Sequence, residues 1–412
     1  MRKLSEFSMT DPAVAKCPFD YYAAMRRESP VHKDPGTGCW WVAQRETIAQ
    51  ATFDPQTFSS HSDLVLRMRY RPRAQALWEA AGMQTLHTFV TSDPPEHEDY
   101  RAVGMSVFTP VKVEELTPHI EARVHELIDE FVDKGSVEFV TEFAARLPGR
   151  IVCDEFGLPL EDQPRFKTWT DAAIGLLSPD ISEDKEVELV QRLIELFKYL
   201  EVQLKRSSQE PGGRVIHTVA TMNKRDGTPF SLLERAWMIV NLFVGGNETT
   251  MNMLSAGLKK LATDPQLQDE LRAAPEKIPQ FTEEILRLDG SVQALLRVAT
   301  RDVEVDGATI PAGANVILCT GSGNRDEAFW EHADEFRLDR TNARRHMTFG
   351  QGRHVCVGMH LARRELNTAY RILLERLRNI RLAVPPEEID QVPLPFHRSI
   401  VRLPLQFDAV AR

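Results

Sequence analysis

The segment that most constrains the fold begins at Ser231 and predicts a single helix of about thirty residues. Ser231 and Glu234 form a capping-box pattern, in which a hydroxyl and a carboxylate each satisfy a backbone amide of the first turn. At about 1.5 Å per residue the helix would span ~45 Å and cross the interior of the protein. Gly245 and Gly246 lie inside it, and each costs a helix about 1 kcal/mol relative to alanine. Two glycines at this place predict that a flat object packs against the helix.

The remaining patterns predict a mainly helical body with a small β-rich portion. Apolar spacing predicts helices over residues 117–135 and 186–207. Strand-like alternation is confined to "CWWVA" near the start of the chain, to a predicted hairpin over residues 303–320, and to "RSIVRLPLQF" near the end. Because the sequence contains no repeat, no low-complexity tract and no clear linker, we expect one domain over residues 1–412.

The charge and hydropathy of the chain exclude several classes of protein. A net charge of −10 and a pI near 5.7 argue against a nucleic acid or an anionic membrane as the partner of the whole surface. The first residues lack the apolar region of a signal peptide, and no stretch approaches the roughly 18 apolar residues of a membrane span. We therefore expect a soluble, cytoplasmic protein without a membrane span.

The cysteines exclude the usual cysteine-based scaffolds. There are five of them, widely spaced and without a C-x-x-C pair, which argues against a zinc ribbon or a disulfide framework and fits a reducing cytosol. We interpret Cys17, Cys39, Cys153 and Cys319 as inert small apolar residues.

Cys356 is different because it lies in the glycine-rich, basic stretch "FGQGRHVCVG" at residues 349–358. Glycines permit tight turns that direct backbone N–H groups at a sulfur atom. Arg353 and His354 add donors and positive charge, which favour a thiolate, and a predicted helix after the cysteine would add its positive end. One cysteine without companion ligands cannot hold zinc or an iron–sulfur cluster. It can hold haem iron, because the porphyrin supplies four nitrogens and the protein one axial ligand.

The stretch resembles the cysteine-loop signature F-G-x-G-x-H/R-x-C-x-G of the cytochrome P-450 superfamily of haem-thiolate monooxygenases. The resemblance implies the fold of that family, mainly α with a small β-rich portion, with haem between the long central helix and the cysteine loop. It further implies haem b (iron protoporphyrin IX) with the Cys356 thiolate as its axial ligand. The positions that match the signature are Phe349, Gly350, Gly352, His354, Cys356 and Gly358.

A second match places a structural network upstream of the cysteine. Glu284 and Arg287 in "EEILR" fit the E-x-x-R motif of the family, and Arg340 in "FRLDR" fits the third member of its Glu–Arg–Arg network. We assign these three residues a structural role and no chemistry.

The glycine-marked helix carries a third match. "GGNETT" is similar to the oxygen-activation segment A/G-G-x-D/E-T of the family, with Gly246, Glu248 and Thr249 in register. The resemblance implies that Glu248 and Thr249 are catalytic, because an acid and an alcohol can relay protons to bound dioxygen.

Haem carries two propionates, which require cationic partners. His97 and Arg101 lie four residues apart in "PPEHEDYR" and match the H-x-x-x-R motif of the family. The resemblance also places Arg297 and His354 at the propionates.

The same analogy assigns candidates for the substrate pocket. Their polar members favour a substrate with polar groups. These candidates are Asn241, Val244, Gly245, Val292, Gln293, Leu296, Phe396 and His397. The arginines at 67, 69, 71 and 73 either contact a carboxylate-bearing substrate or belong to a solvated loop, and the sequence does not decide between the two.

Arginines dominate the region around the cysteine loop, which suggests docking of an acidic electron carrier. An acidic ferredoxin with an NAD(P)H-dependent flavin reductase is the carrier that the resemblance implies, with a flavodoxin as the alternative. Between residues 340 and 376, only Glu365 and Glu375 oppose eight arginines, at 340, 344, 345, 353, 363, 364, 371 and 376.

We therefore predict a monooxygenase that inserts one oxygen atom from O2 into a small organic substrate and reduces the other to water. The alternatives are a peroxide-driven haem-thiolate peroxygenase, a haem-thiolate isomerase or dehydratase that needs no electrons, and a non-catalytic haem-binding sensor. The pair Glu248–Thr249 favours dioxygen chemistry over the peroxygenase and the sensor.

Overall fold

A computed structural model describes residues 2–62, 70–176, 181–209 and 214–410. The chain divides into two compact units, here the larger unit (residues 1–59, 113–147 and 249–412) and the smaller unit (residues 60–112 and 148–248). The expectation of one domain over residues 1–412 stays a prediction. None of the helices described is long and apolar enough to cross a membrane.

The larger unit combines helices with all the strands described. Its helices are α1 (Pro12–Lys16), α2 (Phe19–Glu28), α3 (Arg45–Phe53), α7 (Thr117–Asp129), α13 (Pro265–Ala273), α14 (Ile278–Asp289), α15 (Thr320–Gly323) and α16 (Met359–Arg376). Its strands are β1 (Val31–Lys33), β2 (Trp40–Val42), β3 (Phe58–Ser59), β4 (Ser136–Glu138), β5 (Leu295–Ala299), β6 (Val303–Val305), β7 (Ala308–Ile310), β8 (Asn315–Leu318), β9 (Leu377–Leu382) and β10 (Pro404–Ala409).

The smaller unit is helical. It contains α4 (Pro72–Ala80), α5 (Glu96–Val107), α9 (Gln163–Gly175), α10 (Glu183–Gln209) and α11 (Arg214–Thr221). The helices α6 (Pro110–Glu115), α8 (Arg146–Phe156) and α12 (Leu232–Ala262) each begin in one unit and end in the other. The mainly helical architecture with a small β-rich portion confirms the predicted fold class.

Helix α12 confirms the predicted long helix, with 31 residues. Its capping box is formed as expected, since the Ser231 N–H donates to Glu234 Oε2 at 2.7 Å and the Glu234 N–H donates to Ser231 Oγ at 3.2 Å. Four donors at a helix start lack partners within the helix, so this reciprocal pair fixes where α12 begins.

The strands form three sheets. The largest has the order β1-β2-β8-β5-β3, in which β2 and β8 are parallel and the other pairs are antiparallel. A second sheet has the order β4-β10-β9, and β6 pairs with β7 alone. Strand β5 places Arg297 opposite Val316 of β8.

The predicted hairpin over residues 303–320 is only partly right. Strands β6 and β7 form it, with Asp306 and Gly307 at φ 45° and 79° in the two-residue turn. Strand β8 is not part of the hairpin, because Pro311 and the left-handed Gly313 redirect the chain and β8 pairs with β2 and β5.

Aromatic side chains fill the core of the smaller unit. The ring centroid of Trp78 lies 5.3 Å from that of Phe197 and 6.1 Å from that of Trp237. Edge-to-face contacts of this kind add to the free energy gained by burying the rings. They attach α4 and α10 to the first turns of α12.

Candidate active site

The cysteine loop is a tight turn that its glycines make possible. Gly350 and Gly352 adopt φ values of 70° and 65°, a left-handed region that other residues avoid. The Cys356 N–H donates to the Phe349 carbonyl at 2.8 Å, which closes the loop. Helix α16 begins at Met359, so the partly exposed Cys356 thiol lies three residues before a helix N-terminus. The positive end of a helix favours a thiolate.

The loop is unusual because protein atoms leave its apolar side chains partly uncovered. Residues 348–360 are all partly exposed, apart from Arg353, which is exposed. Phe349, Val355, Val357 and Met359 are therefore not packed as core residues would be. An uncovered apolar surface of this kind commonly marks a ligand-binding site.

A second uncovered surface runs along α12. Positions 241, 244, 245, 246, 248 and 249 are exposed or partly exposed, whereas Asn247 and Thr250 are buried. Helical spacing places all of these exposed positions except 246 on one face of the helix. A Cβ atom added to Gly245 would meet nothing within 4 Å. Within the larger unit, the cysteine loop fits a flat apolar group held by one thiolate, which is what the residue pattern predicts for haem.

The residues predicted to bind propionates lie on two elements and in the cysteine loop. His97 is buried in the first turn of α5, and Arg101 follows one turn later and is partly exposed. Arg297 on β5 is 5% exposed and donates through Nη1 to the Leu296 carbonyl at 2.7 Å. Strand β5 lies beside the cysteine loop, since a Cβ atom on Gly350 would be 3.8 Å from Leu295 Cδ1. The structure thus brings Arg297 and the partly exposed His354 to one region of the larger unit.

Two segments with substrate-pocket candidates lie next to each other in the larger unit. Val292 and His397 form a β-bridge, and the Gln293 N–H donates to the Phe396 carbonyl at 2.9 Å. The ring of Phe396 stacks on Trp41, with centroids 5.9 Å apart. Burial lowers the pKa of His397 to about 4, so its imidazole is neutral near pH 7.

Other candidates already use their amides inside the protein. Gln293 is 2% exposed and donates to the Gly290 carbonyl at 2.5 Å. In the smaller unit, Asn241 Nδ2 donates to Thr88 Oγ1 at 3.0 Å and to the Trp237 carbonyl at 2.8 Å. These hydrogen bonds fix the segments on which the candidates lie.

The Glu–Arg–Arg residues form a buried cluster. Arg287 Nη2 lies 2.8 Å from Glu284 Oε2, and Arg340 also forms an ion pair with Glu284. The guanidinium of Arg287 further donates to the carbonyls of Asn324, Ala333 and Glu335, at 3.0, 2.6 and 2.9 Å. These bonds hold residues 324–335 against α14.

The sequence interpretation did not single out Glu283 or His346, which lie beside this cluster, and it counted Arg363 only as part of the basic surface. Glu283 is 2% exposed and accepts two hydrogen bonds from Arg363, at 2.7 and 2.9 Å. His346 lies 3.2 Å from the same carboxylate. The available signal was the first glutamate of "EEILR", Glu283, which directly precedes the network residue Glu284.

The predicted basic surface is smaller than the arginine count indicated. Six of the eight arginines form ion pairs with acids of the same unit, because tertiary folding brings carboxylates from other segments beside them. The pairs are Arg340–Glu284, Arg344–Glu283, Arg363–Glu283, Arg364–Glu114, Arg371–Glu121 and Arg376–Asp129. Arg344, Arg345 and Arg353 are exposed.

The arginine segment at residues 64–73 is only partly described. Arg67 and Arg69 lie outside the described residues. Arg71 lies 3.6 Å from Glu186, and Arg73 lies 2.7 Å from Asp184. These two guanidiniums are therefore occupied by acids of α10.

Comparisons with known proteins agree with this arrangement. The sequence model of the family described as "Cytochrome P450" matches residues 84–409. The chain is 31% identical to "Cytochrome P450 109" of Bacillus spizizenii, over 94% of this chain and 91% of the relative. It is 31% identical to "Linalool 8-monooxygenase" of Pseudomonas putida, over 89% and 90% of the two chains. The solved structure "cytochrome P450 CREJ in complex with (4-ethylphenyl) dihydrogen phosphate" superimposes with a TM-score of 0.89 at 26% identity, covering 98% of both chains.

Proposed function

Because the chain belongs to the cytochrome P450 family and is a P450 monooxygenase, we propose that it inserts one oxygen atom from O2 into a small organic substrate, with electrons from a ferredoxin system. Residues 1–412 act in this proposal as one catalytic domain in the cytoplasm. The observation that carries the proposal is the closed cysteine loop, in which a thiol lies before a helix N-terminus among uncovered apolar side chains.

Different residues of the site would bind different parts of haem b. Cys356 would bind the iron through its thiolate, and its backbone N–H donates to the Phe349 carbonyl. Gly350 and Gly358 let the loop approach the porphyrin closely. His97, Arg101, Arg297 and His354 would bind the propionates through charge-assisted hydrogen bonds. When bound, the haem would supply the iron centre at which O2 is activated.

Glu248 and Thr249 handle protons in this proposal. Both lie on the uncovered face of α12, beside the glycine that leaves room for a flat group. The Thr249 hydroxyl donates a proton toward the reacting oxygen, and the Glu248 carboxylate returns one to it from solvent. A peroxygenase that receives its oxygen from peroxide would not need this relay.

The substrate of the proposal is a small, mainly apolar molecule with a polar group. Val244, Val292, Leu296 and Phe396 offer apolar contacts, and the neutral His397 can donate or accept one hydrogen bond. One relative is named "Linalool 8-monooxygenase".

Electrons reach the protein from an acidic ferredoxin served by an NAD(P)H-dependent reductase, with a flavodoxin as the second candidate. The exposed Arg344, Arg345 and Arg353 support this docking, since they lie in the same stretch as the cysteine loop and remain on the surface.

The first experiment is the absorption spectrum of the reduced protein under carbon monoxide. Thiolate ligation shifts the Soret band strongly to longer wavelength, and Cys356→His should abolish this shift. Cys17→Ser, which changes an exposed cysteine far from the loop in sequence, should leave the band unchanged. Product formation that requires both O2 and NAD(P)H then separates a monooxygenase from a peroxygenase. A protein that binds no haem after reconstitution would overturn the proposal.

A further inference from the structure

Glu283 lies next to Glu284 on α14, but its carboxylate contacts a different group of residues. Glu284 faces the arginines of the structural network, whereas Glu283 receives Arg363 of α16 in a two-bond, parallel arrangement. Burial alone would raise the pKa of Glu283, but hydrogen bonds from His346 and Arg363 outweigh it and bring that pKa to about 2. The carboxylate is therefore charged throughout the physiological range.

The hydrogen bonds of His346 define its protonation. The Thr348 N–H donates to His346 Nδ1 at 3.1 Å, so this nitrogen carries no proton. The proton is on Nε2, which donates to Glu283 Oε2 at 3.2 Å. Burial lowers the pKa of His346, in agreement with a neutral ring. Glu283 thus accepts hydrogen bonds from one cation, Arg363, and from one neutral donor, and the exposed Arg344 lies 3.8 Å from the same carboxylate.

Both partners of Glu283 contact the ring of Phe349. The guanidinium carbon of Arg363 lies 4.6 Å from the centroid of that ring, and the imidazole of His346 lies 5.5 Å from it. Phe349 is also the residue whose carbonyl accepts the Cys356 N–H. A continuous set of contacts therefore runs from the Glu283 carboxylate to the backbone of the cysteine.

We propose that Glu283 is a positioning residue for the cysteine loop, acting through Arg363 and His346 on Phe349. The inference rests on the proposed ligation of haem by Cys356. In this proposal Glu283 has two effects. It holds the Arg363 and His346 side chains against the Phe349 ring, and its negative charge balances the positive charge of Arg363 beside the loop.

The balance of charge gives the proposal a spectroscopic consequence. Glu283→Gln leaves Arg363 charged beside the loop without its carboxylate, and the amide cannot accept both of its hydrogen bonds. An uncompensated cation stabilises the thiolate electrostatically and weakens its donation to a bound metal. The reduction potential of the iron should then become more positive, as outer groups commonly tune a metal site.

The experiment compares Glu283→Gln with Glu114→Gln in the haem-loaded protein. Each change removes the carboxylate partner of one arginine on α16, but Arg364, the partner of Glu114, makes no cation–π contact with Phe349. We expect Glu283→Gln to raise the reduction potential of the iron and to speed amide exchange in residues 347–358. Part of the carbon monoxide band that marks thiolate ligation should also be replaced by the band of protein without thiolate ligation. Glu114→Gln should change none of the three.

Further variants distinguish an effect of the unbalanced charge from a general loss of folding. If Glu283→Gln does not fold, Arg363→Lys keeps the charge but loses the planar contact, and should speed the same amide exchange. Arg363→Met added to Glu283→Gln should bring the potential back toward the wild-type value. Wild-type potential and exchange rates in Glu283→Gln, or equal changes in both glutamine variants, would overturn the inference. Failure of the proposed haem ligation would show separately, as the absence of a thiolate band in the wild type.

Discussion

Arg287 Nη2 lies 2.8 Å from Glu284 Oε2, and both side chains are completely buried. Taking two charges out of water is costly, so such a pair is stable only when further hydrogen bonds complete it. Here Arg287 also binds the carbonyls of Asn324, Ala333 and Glu335. The pair therefore links α14 to the segment that precedes the cysteine loop.

Replacing Arg287 with methionine should lower the free energy of unfolding by about 3–5 kcal/mol, because Glu284 and three carbonyls lose a buried partner. Urea unfolding followed by circular dichroism measures this. Arg123→Met removes a helix-surface pair with Glu126 and should cost less than about 1 kcal/mol. Similar losses in the two variants would contradict a special role for the buried pair.

The glycines of the cysteine loop should differ in their tolerance of alanine. Gly38, Gly350 and Gly352 share φ values near 65–70°, so each alanine variant should lose roughly 1–2 kcal/mol from backbone strain. Only at Gly352 would the new Cβ atom press on neighbours, at 3.2 Å from the Thr52 carbonyl and 3.3 Å from the Phe53 ring. Gly352→Ala should therefore be the least stable in urea unfolding. Gly38, with nothing within 4 Å, is the control for strain alone. Equal losses at all three positions would show that the contact has no effect.

His397 should make the protein less stable in mild acid. Its pKa of about 4 in the folded state lies below the ~6.5 of an unfolded histidine, so the unfolded chain takes up the proton first as the pH falls. The stability that the neutral ring contributes is complete above about pH 6.5 and is lost as the pH falls toward 4. The free energy of unfolding should drop less steeply over this range in His397→Asn than in the wild type. Parallel pH profiles would contradict the prediction.

Thr249→Ala should separate oxygen consumption from product formation. If Thr249 relays protons, its loss should reduce the product formed per O2 consumed by roughly tenfold or more. Thr250 is the matched control, because it is the next residue of α12 but is buried, at 3% exposure. Thr250→Ala should leave the coupling ratio unchanged whatever it does to stability. Intact coupling in Thr249→Ala would exclude the relay.

Arg344 and Arg345 should contribute to the docking of an acidic ferredoxin. Replacing both with glutamine should raise the KM for the carrier several-fold at low ionic strength, and salt should reduce the difference. Arg381→Gln on β9 removes a similarly exposed arginine from another part of the sequence. An effect of the same size in Arg381→Gln would indicate that net charge alone, and no particular surface, governs docking.

Local sequence signals predicted the long helices well. The capping box of α12 and the amphipathic repeats of α7 and α10 act over a few residues, so they can be recognised without tertiary information. The pairing of β8 could not be recognised in the same way, because its partners β2 and β5 lie elsewhere in the chain. The predicted hairpin consequently extended too far.

The ion pairs of the arginines around the cysteine loop also could not be predicted from local sequence. Arg371 and Arg376 are neutralised by Glu121 and Asp129 of α7, about 250 residues earlier in the chain. Counting charges within one stretch therefore overestimated the basic surface. The motifs located the cysteine loop and the helix face, since each depends on adjacent residues. They did not identify Glu283, because its partners Arg363 and His346 lie about 60 to 80 residues away in the chain.

Trp330 gives the buried arginine cluster an optical signal of its own. The ring is 1% exposed, donates through Nε1 to the Gly323 carbonyl at 2.9 Å, and lies 5.2 and 5.8 Å from the guanidiniums of Arg287 and Arg340. Indole fluorescence responds to charges at such distances. A protein that retains only this one of its six tryptophans would report, in real time and without any label, when the two cations assemble during folding. The order in which this cluster and the cysteine loop form then becomes a question for stopped-flow fluorescence.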